Sequence, residues 1–154
     1  MARKSNNTAL NSIADNLQSG LLNNQLSKTI TYLTATTGAT GATTLATVTG
    51  VCAVSVFGVC GTTLTSGAAG TLEVGTALST AALIAQTTGT DIGVNEIWHD
   101  AAPDASIELT SVITKNVVTQ NIIQTIGTGA IDTGAITYYI LWAPISKGAT
   151  VVIA

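Results

Sequence analysis

Along the first part of the chain Leu10, Ile13, Leu17, Leu21 and then Leu22 or Leu26 follow steps of three and four, with Ala14 on the same stripe. This spacing predicts an amphipathic helix over residues 8–26, weakened in its middle by Gly20. A helix with no helical partner elsewhere in the chain must dock on a sheet, on copies of itself or on another protein. The stretch "TATTGATGATT" at 34–44 places Gly38 and Gly41 three apart without the prolines of a collagen-like segment, and reads as a flexible hinge.

From residue 43 the period changes to two. Short runs rich in Val, Ile, Thr and aromatics, separated by Gly, Ser, Asn and Asp, predict strands at 43–49, 51–60, 70–76, 81–87, 94–99, 106–114, 116–126 and 134–143, with a last one at 149–153. Residues 78–86, "LSTAALIAQ", also fit a turn or two of helix. Strands at intervals of about a dozen residues leave little room for crossover helices. The expected fold is therefore all-β, an antiparallel β-sandwich or jelly roll over residues 43–154, preceded by an N-terminal helical arm and hinge over residues 1–42.

Two of these strands are apolar on both faces. In "VCAVSVFGVC", Val51, Ala53, Phe57 and Val59 alternate with Cys52, Val54, Val56 and Cys60; in "ITYYILW", Ile136, Tyr138, Ile140 and Trp142 oppose Tyr139 and Leu141. An antiparallel sandwich strand normally shows water one side. A second apolar side calls for a second cover, which implies a homo-oligomer or, as the alternative, a strand covered by the N-terminal helix. The residues expected at an oligomer or capsid interface are Leu10, Ile13, Leu17, Leu21, Val54, Val56, Trp98, Tyr139 and Leu141.

Composition narrows the possible partners. Only 8% of the 154 residues are charged, against roughly 25% in an ordinary soluble protein. The polar surface is therefore hydroxyl and amide. Arg3, Lys4, Lys28, Lys115 and Lys147 are scattered and the net charge is −3, so no basic face for nucleic acid can be assembled. Apolar runs stop near ten residues, about half a helical membrane span, and the N-terminus lacks the apolar segment of a signal peptide. No membrane partner is expected. Cys52 and Cys60 on one strand would lie about 26 Å apart, which favours buried reduced thiols, although a bend at Phe57-Gly58 would allow a bridge.

The candidate chemistry lies in "VNEIWHDAAPDASIELT", residues 94–110, which holds the single histidine and four of the eight acids. On a strand, Glu96, Trp98 and Asp100 share one face and His99 takes the other, pointing away from its nearest carboxylates. A helical Glu96-x-x-His99 pair would need a second such pair and four helices, and a zinc protease would need a second histidine. Asp100, Asp104 and Glu108 around Pro103 can be arranged as calcium ligands, against a simpler reading of "HDAAPDAS" as a solvated turn. Trp98 fits an anchor in a core or interface, or a stacking platform for a host glycan with Asp100 and Asp104. Gly127 and Gly129 lack the third glycine, the lysine and the helix of a phosphate loop. No catalytic residue, cofactor or metal is expected.

The run "GTLEVGTALSTAALIAQTTGTDIGVNEIWHDAAPDASIEL" and the closing "GAITYYILWAPIS" resemble a group of small proteins encoded among the structural genes of tailed bacteriophages and prophages. The matching segments are Leu72-Glu73-Val74-Gly75, Ala82-Leu83-Ile84-Ala85, Glu96-Ile97-Trp98-His99-Asp100 and Tyr139-Ile140-Leu141-Trp142, within residues 43–146. The resemblance implies a virion component on the capsid exterior, a decoration or cement protein that binds the major capsid protein, and carries over no catalytic residue. A homotrimer, with residues 1–40 as an arm docking on the shell or a neighbour, would suit that role. A head-fibre or tail-tip module binding host glycan is the alternative.

Overall fold

A computed structural model of the chain describes residues 24–103 and 106–154. They form β1 (Asn24–Thr31), β2 (Gly41–Thr49), β3 (Cys52–Thr65), β4 (Thr71–Thr76), β5 (Ser79–Thr88), β6 (Ile97–Trp98), β7 (Asn116–Val118), β8 (Ile122–Gly127), β9 (Thr133–Pro144) and β10 (Thr150–Ile153). A front sheet runs β1-β9-β3-β6, with β7 also paired to β3, and a back sheet runs β10-β2-β8-β4-β5. Every pairing is antiparallel. The predicted all-β antiparallel class is therefore what the chain adopts.

One apolar core lies between the sheets, and strand alternation decides what enters it. On β3 the even positions Cys52, Val54, Val56 and Cys60 are buried, as are Ile136, Tyr138 and Ile140 on β9 and Leu45, Leu72, Ile84 and Ile122 from the back sheet. Gly58 runs straight through β3, opposite both Tyr138 and Trp98. A Cβ there would come within 2.9 Å of the Ile136 side chain and 3.4 Å of the Trp98 ring, so the bare backbone makes room for the indole. Both thiols, free and buried on one uninterrupted strand, match the sequence reading.

Several boundaries differ from the predicted ones. Residues 24–26, predicted as the end of the helix, are strand: β1 pairs with β9 from Asn24↔Trp142 to Thr31↔Ala135. The rest of the predicted helix, with Leu10, Ile13, Leu17 and Leu21, lies outside the described residues. β1, which falls within the stretch expected as an arm, belongs to the front sheet. The expected hinge is a packed turn followed by β2. Thr36 and Gly38 N–H both donate to Leu33 O at 2.9 Å, and Ile131 N–H donates to Gly38 O at 2.9 Å. A Cβ on Gly38 would sit 1.9 Å from Ile131 O, so glycine there serves close approach of two backbones.

The strand predicted at 106–114 does not form; the segment turns instead. The β3 edge it would have joined is taken by β6 at Gly58 and Val59 and by β7 from Cys52 to Val54. The strand predicted at 94–99 shrinks to Ile97–Trp98, because Asn95 takes a left-handed φ of 65° and Gly93 N–H donates to Glu96 Oε2 at 2.7 Å, closing a turn. Residues 116–126 divide between the sheets, β7 in front and β8 behind.

Candidate interaction surface

Between β6 and β7 the chain leaves the front sheet and returns, and several side-chain contacts fasten this excursion. Trp98, fully buried, donates its indole N–H to Thr87 Oγ1 on β5 at 2.9 Å, and Thr87 Oγ1 lies 3.2 Å from Asp100 O. His99 is 8% exposed, with Nδ1 4.0 Å from Asp100 Oδ2 and Nε2 3.6 Å from Glu108 Oε2. Both separations exceed hydrogen-bond length. At the returning end Ser55 Oγ donates to Thr114 O at 2.9 Å.

The excursion presents apolar side chains to solvent. Ile107 is 86% exposed, Leu109 67% and Val117 67%, and Val112 is exposed as well. Ile107 and Leu109 flank Glu108, which is drawn back towards His99, so the charge of this stretch faces inward while its hydrocarbon faces out. Leu78, at the β4–β5 turn and 84% exposed, shares with Val117 a cleft of about 200 Å³ whose lining has no titratable side chain. Exposed apolar groups gathered on one segment are the usual mark of an interaction surface.

The outer face of the front sheet is the second apolar region. Register places Ala53 beside Ala143, Phe57 beside Tyr139 and Val59 beside Thr137, with Leu141 opposite Ser55. The Phe57 and Tyr139 rings stack with centroids 5.2 Å apart. These side chains are partly buried rather than open, and the adjoining outward positions of β1, Gln25, Ser27 and Thr29, are polar and exposed.

The interface residues expected from sequence therefore separate. Val54, Val56 and Trp98 are corrected: all three lie in the core, and alternation leaves them no outward aspect. Tyr139 and Leu141 do lie on the outer face. Leu10, Ile13, Leu17 and Leu21 are outside the described residues. Full burial of Trp98 removes it as a glycan platform. His99 was expected to point away from its nearest carboxylates, but Ile97–Trp98 is too short a strand to impose alternation on it, and it meets Asp100 and Glu108. Asp104 lies outside the described residues. Asp100 Oδ1 accepts from Ala102 N–H at 2.8 Å and Glu108 turns to His99. Among the described residues no group of three or more His, Cys, Asp or Glu could hold a metal ion.

Sequence reasoning missed the exposure of Ile107 and Leu109 because "SIELT" alternates as a half-buried strand would. It also missed the His99–Glu108 approach, which spans a non-repetitive loop. Compared with known proteins, the chain matches no family model, no curated protein and no solved structure.

Proposed function

We infer that the chain is a non-enzymatic structural subunit of a tailed-phage particle: a capsid decoration protein that assembles with copies of itself on the capsid exterior, against the major capsid protein. The observation that carries this reading is the exposed apolar segment from Ile107 to Val117, held out by fixed anchors at His99 and Ser55 beside Leu78. The exposed hydrocarbon of Ile107, Leu109, Val112 and Val117, interrupted in charge only by the exposed Lys115, suits a second copy of the same weakly charged chain better than a strongly charged ligand.

The strand order supports the reading by analogy of fold. Facing rows of β1-β9-β3-β6 and β2-β8-β4-β5 follow the order of a jelly roll, with β10 added at one edge. That architecture recurs in viral capsid proteins, and equally in lectins and cupins. The resemblance read from the sequence of residues 43–146 favours the first of these. Three copies around one axis is the closed arrangement expected of such a subunit.

Sedimentation velocity of the full chain tests self-association: an oligomer is expected, reverting to monomer in the double variant Ile107→Ser, Leu109→Ser with its strand circular dichroism unchanged. A monomeric parent at micromolar concentration would sink the reading. Mass spectrometry and electron microscopy of particles from the encoding phage or prophage test the location, which fails if the protein is absent from them.

A further inference from the structure

The exposed hydrocarbon described above falls into two parts of opposite shape. Ile107 and Leu109 project from a stretch that belongs to no strand, 86% and 67% exposed. Leu78, Ala82 and Val117 instead line the cleft between the β4–β5 hairpin and β7, together with the buried Leu83 and Val118. The chain turns between the two parts. Val112 N–H donates to Leu109 O at 3.1 Å, and Ser55 Oγ donates to Thr114 O at 2.9 Å just before β7 begins. Neither Ile107 nor Leu109 lines the cleft of its own chain, so among the described residues projection and hollow do not fill each other.

Size and chemistry nevertheless match. An apolar cavity of about 150 Å³ accepts the six carbons of benzene, and at that density the cleft of about 200 Å³ takes about eight, the side-chain carbons of one isoleucine and one leucine. The lining has no titratable side chain. Glu108, between the two projecting residues, is turned towards His99, its Oε2 3.6 Å from Nε2. Seating Ile107 and Leu109 in such a cleft therefore brings no carboxylate with them.

We propose that Ile107 and Leu109 of one copy seat in the cleft bordered by Leu78 and Val117 of another, so that each copy carries both a projection and a socket. This rests on the self-assembly proposed above and names the two surfaces that meet in it. The pairing is the same whether two copies exchange it about a twofold axis or pass it on around a closed ring. It also sets what the contact rejects, since a bulky charged side chain in the socket leaves no room for the projection and no partner for its own charge.

Complementation between two variants of the full chain tests the pairing by sedimentation velocity. Ile107→Ser, Leu109→Ser removes the projection, and Ala82→Arg, at an exposed lining position, blocks the socket. Each variant alone is expected to be monomeric, whereas an equimolar mixture forms a one-to-one pair through the single intact projection and the single intact socket. The mixture is run well above the concentration at which the parent assembles, because one contact lacks the gain of several engaged together. Association of either variant alone at the parent's strength overturns the proposal while leaving self-assembly standing, and so does a mixture that stays monomeric. A monomeric parent removes the assembly reading and this pairing with it. Strand circular dichroism checks that each variant folds, and Leu78→Glu replaces Ala82→Arg as the socket variant should the latter lose its strand signal.

Discussion

Tyr138, on the front sheet, donates its phenol O–H to Oε1 of Gln124, on the back sheet, at 2.6 Å. Tyr32, just beyond β1, donates to the same oxygen at 2.6 Å, and the two phenol oxygens are 3.0 Å apart. All three side chains are buried, so one amide carbonyl accepts from two phenols across the core. Gln124→Leu keeps the volume and removes the acceptor. The phenols, 3.0 Å apart, can still bond to each other, so one hydroxyl is left without an acceptor at a cost of about 1–3 kcal/mol, and urea denaturation should show a correspondingly lower midpoint, with an unchanged slope.

The same burial predicts sensitivity to alkali. Desolvation raises the Tyr138 phenol pKa well above its ordinary value, and the charge of Tyr32 beside it acts in the same direction; Tyr32 is raised chiefly by desolvation too. Above the ordinary phenol pKa of about 10 the unfolded chain releases these protons while the folded one retains them. Stability should therefore hold below about pH 10 and fall beyond it, by up to about 1.4 kcal/mol per pH unit for each phenol. Denaturant melts from pH 8 to 11.5 check this, and the Tyr32→Phe, Tyr138→Phe protein should lose less over the same interval.

Burial also pushes the Cys52 and Cys60 thiols above their usual range. Ellman's reagent should therefore find almost no reactive thiol in the folded protein at pH 8, and two per chain once denaturant is added. Prompt reaction of the folded protein would show that β3 opens readily.

Lys28 fastens an edge. Its Nζ donates to the main-chain oxygens of Thr44 and Ala154, both at 2.8 Å, joining β1 of the front sheet to β2 and to the end of β10 behind. Lys28→Met retains the hydrocarbon stem and removes both charge-assisted bonds, for an expected loss of about 1.5–3 kcal/mol. Hydrogen exchange should locate the loosening in β1 and β10.

These contacts mark where sequence pattern reaches its limit. Alternation at Cys52, Val54, Val56 and Cys60 made β3 legible, and the same period revealed β4, β5 and β9. β1 was hidden because Leu21, Leu22 and Leu26 continue a helical spacing into it, and because Lys28 occupies an inward position in "LSKTI" where a hydrocarbon would be expected. Its partners are main-chain oxygens 16 and 126 residues away, which no local pattern reports. Residues 106–114 failed for the opposite reason: "IELTSVI" has a strand's alternation, but β6 and β7 already occupy the available edge of β3. Of the candidate surface, Tyr139 and Leu141 could be placed by parity alone. The open hydrocarbon of Ile107 and Leu109 could not, since it depends on Glu108 being turned towards His99.

Trp98 lies across the bare backbone of Gly58 and is pinned to Thr87 on the opposite sheet. Separating the sheets would wet this indole, whereas altering Ile107 or Leu109 should leave it dry. With Trp142, the second tryptophan, replaced by Phe, the fluorescence of Trp98 is a built-in gauge, able to tell a subunit that has lost its neighbours from one that has lost its fold.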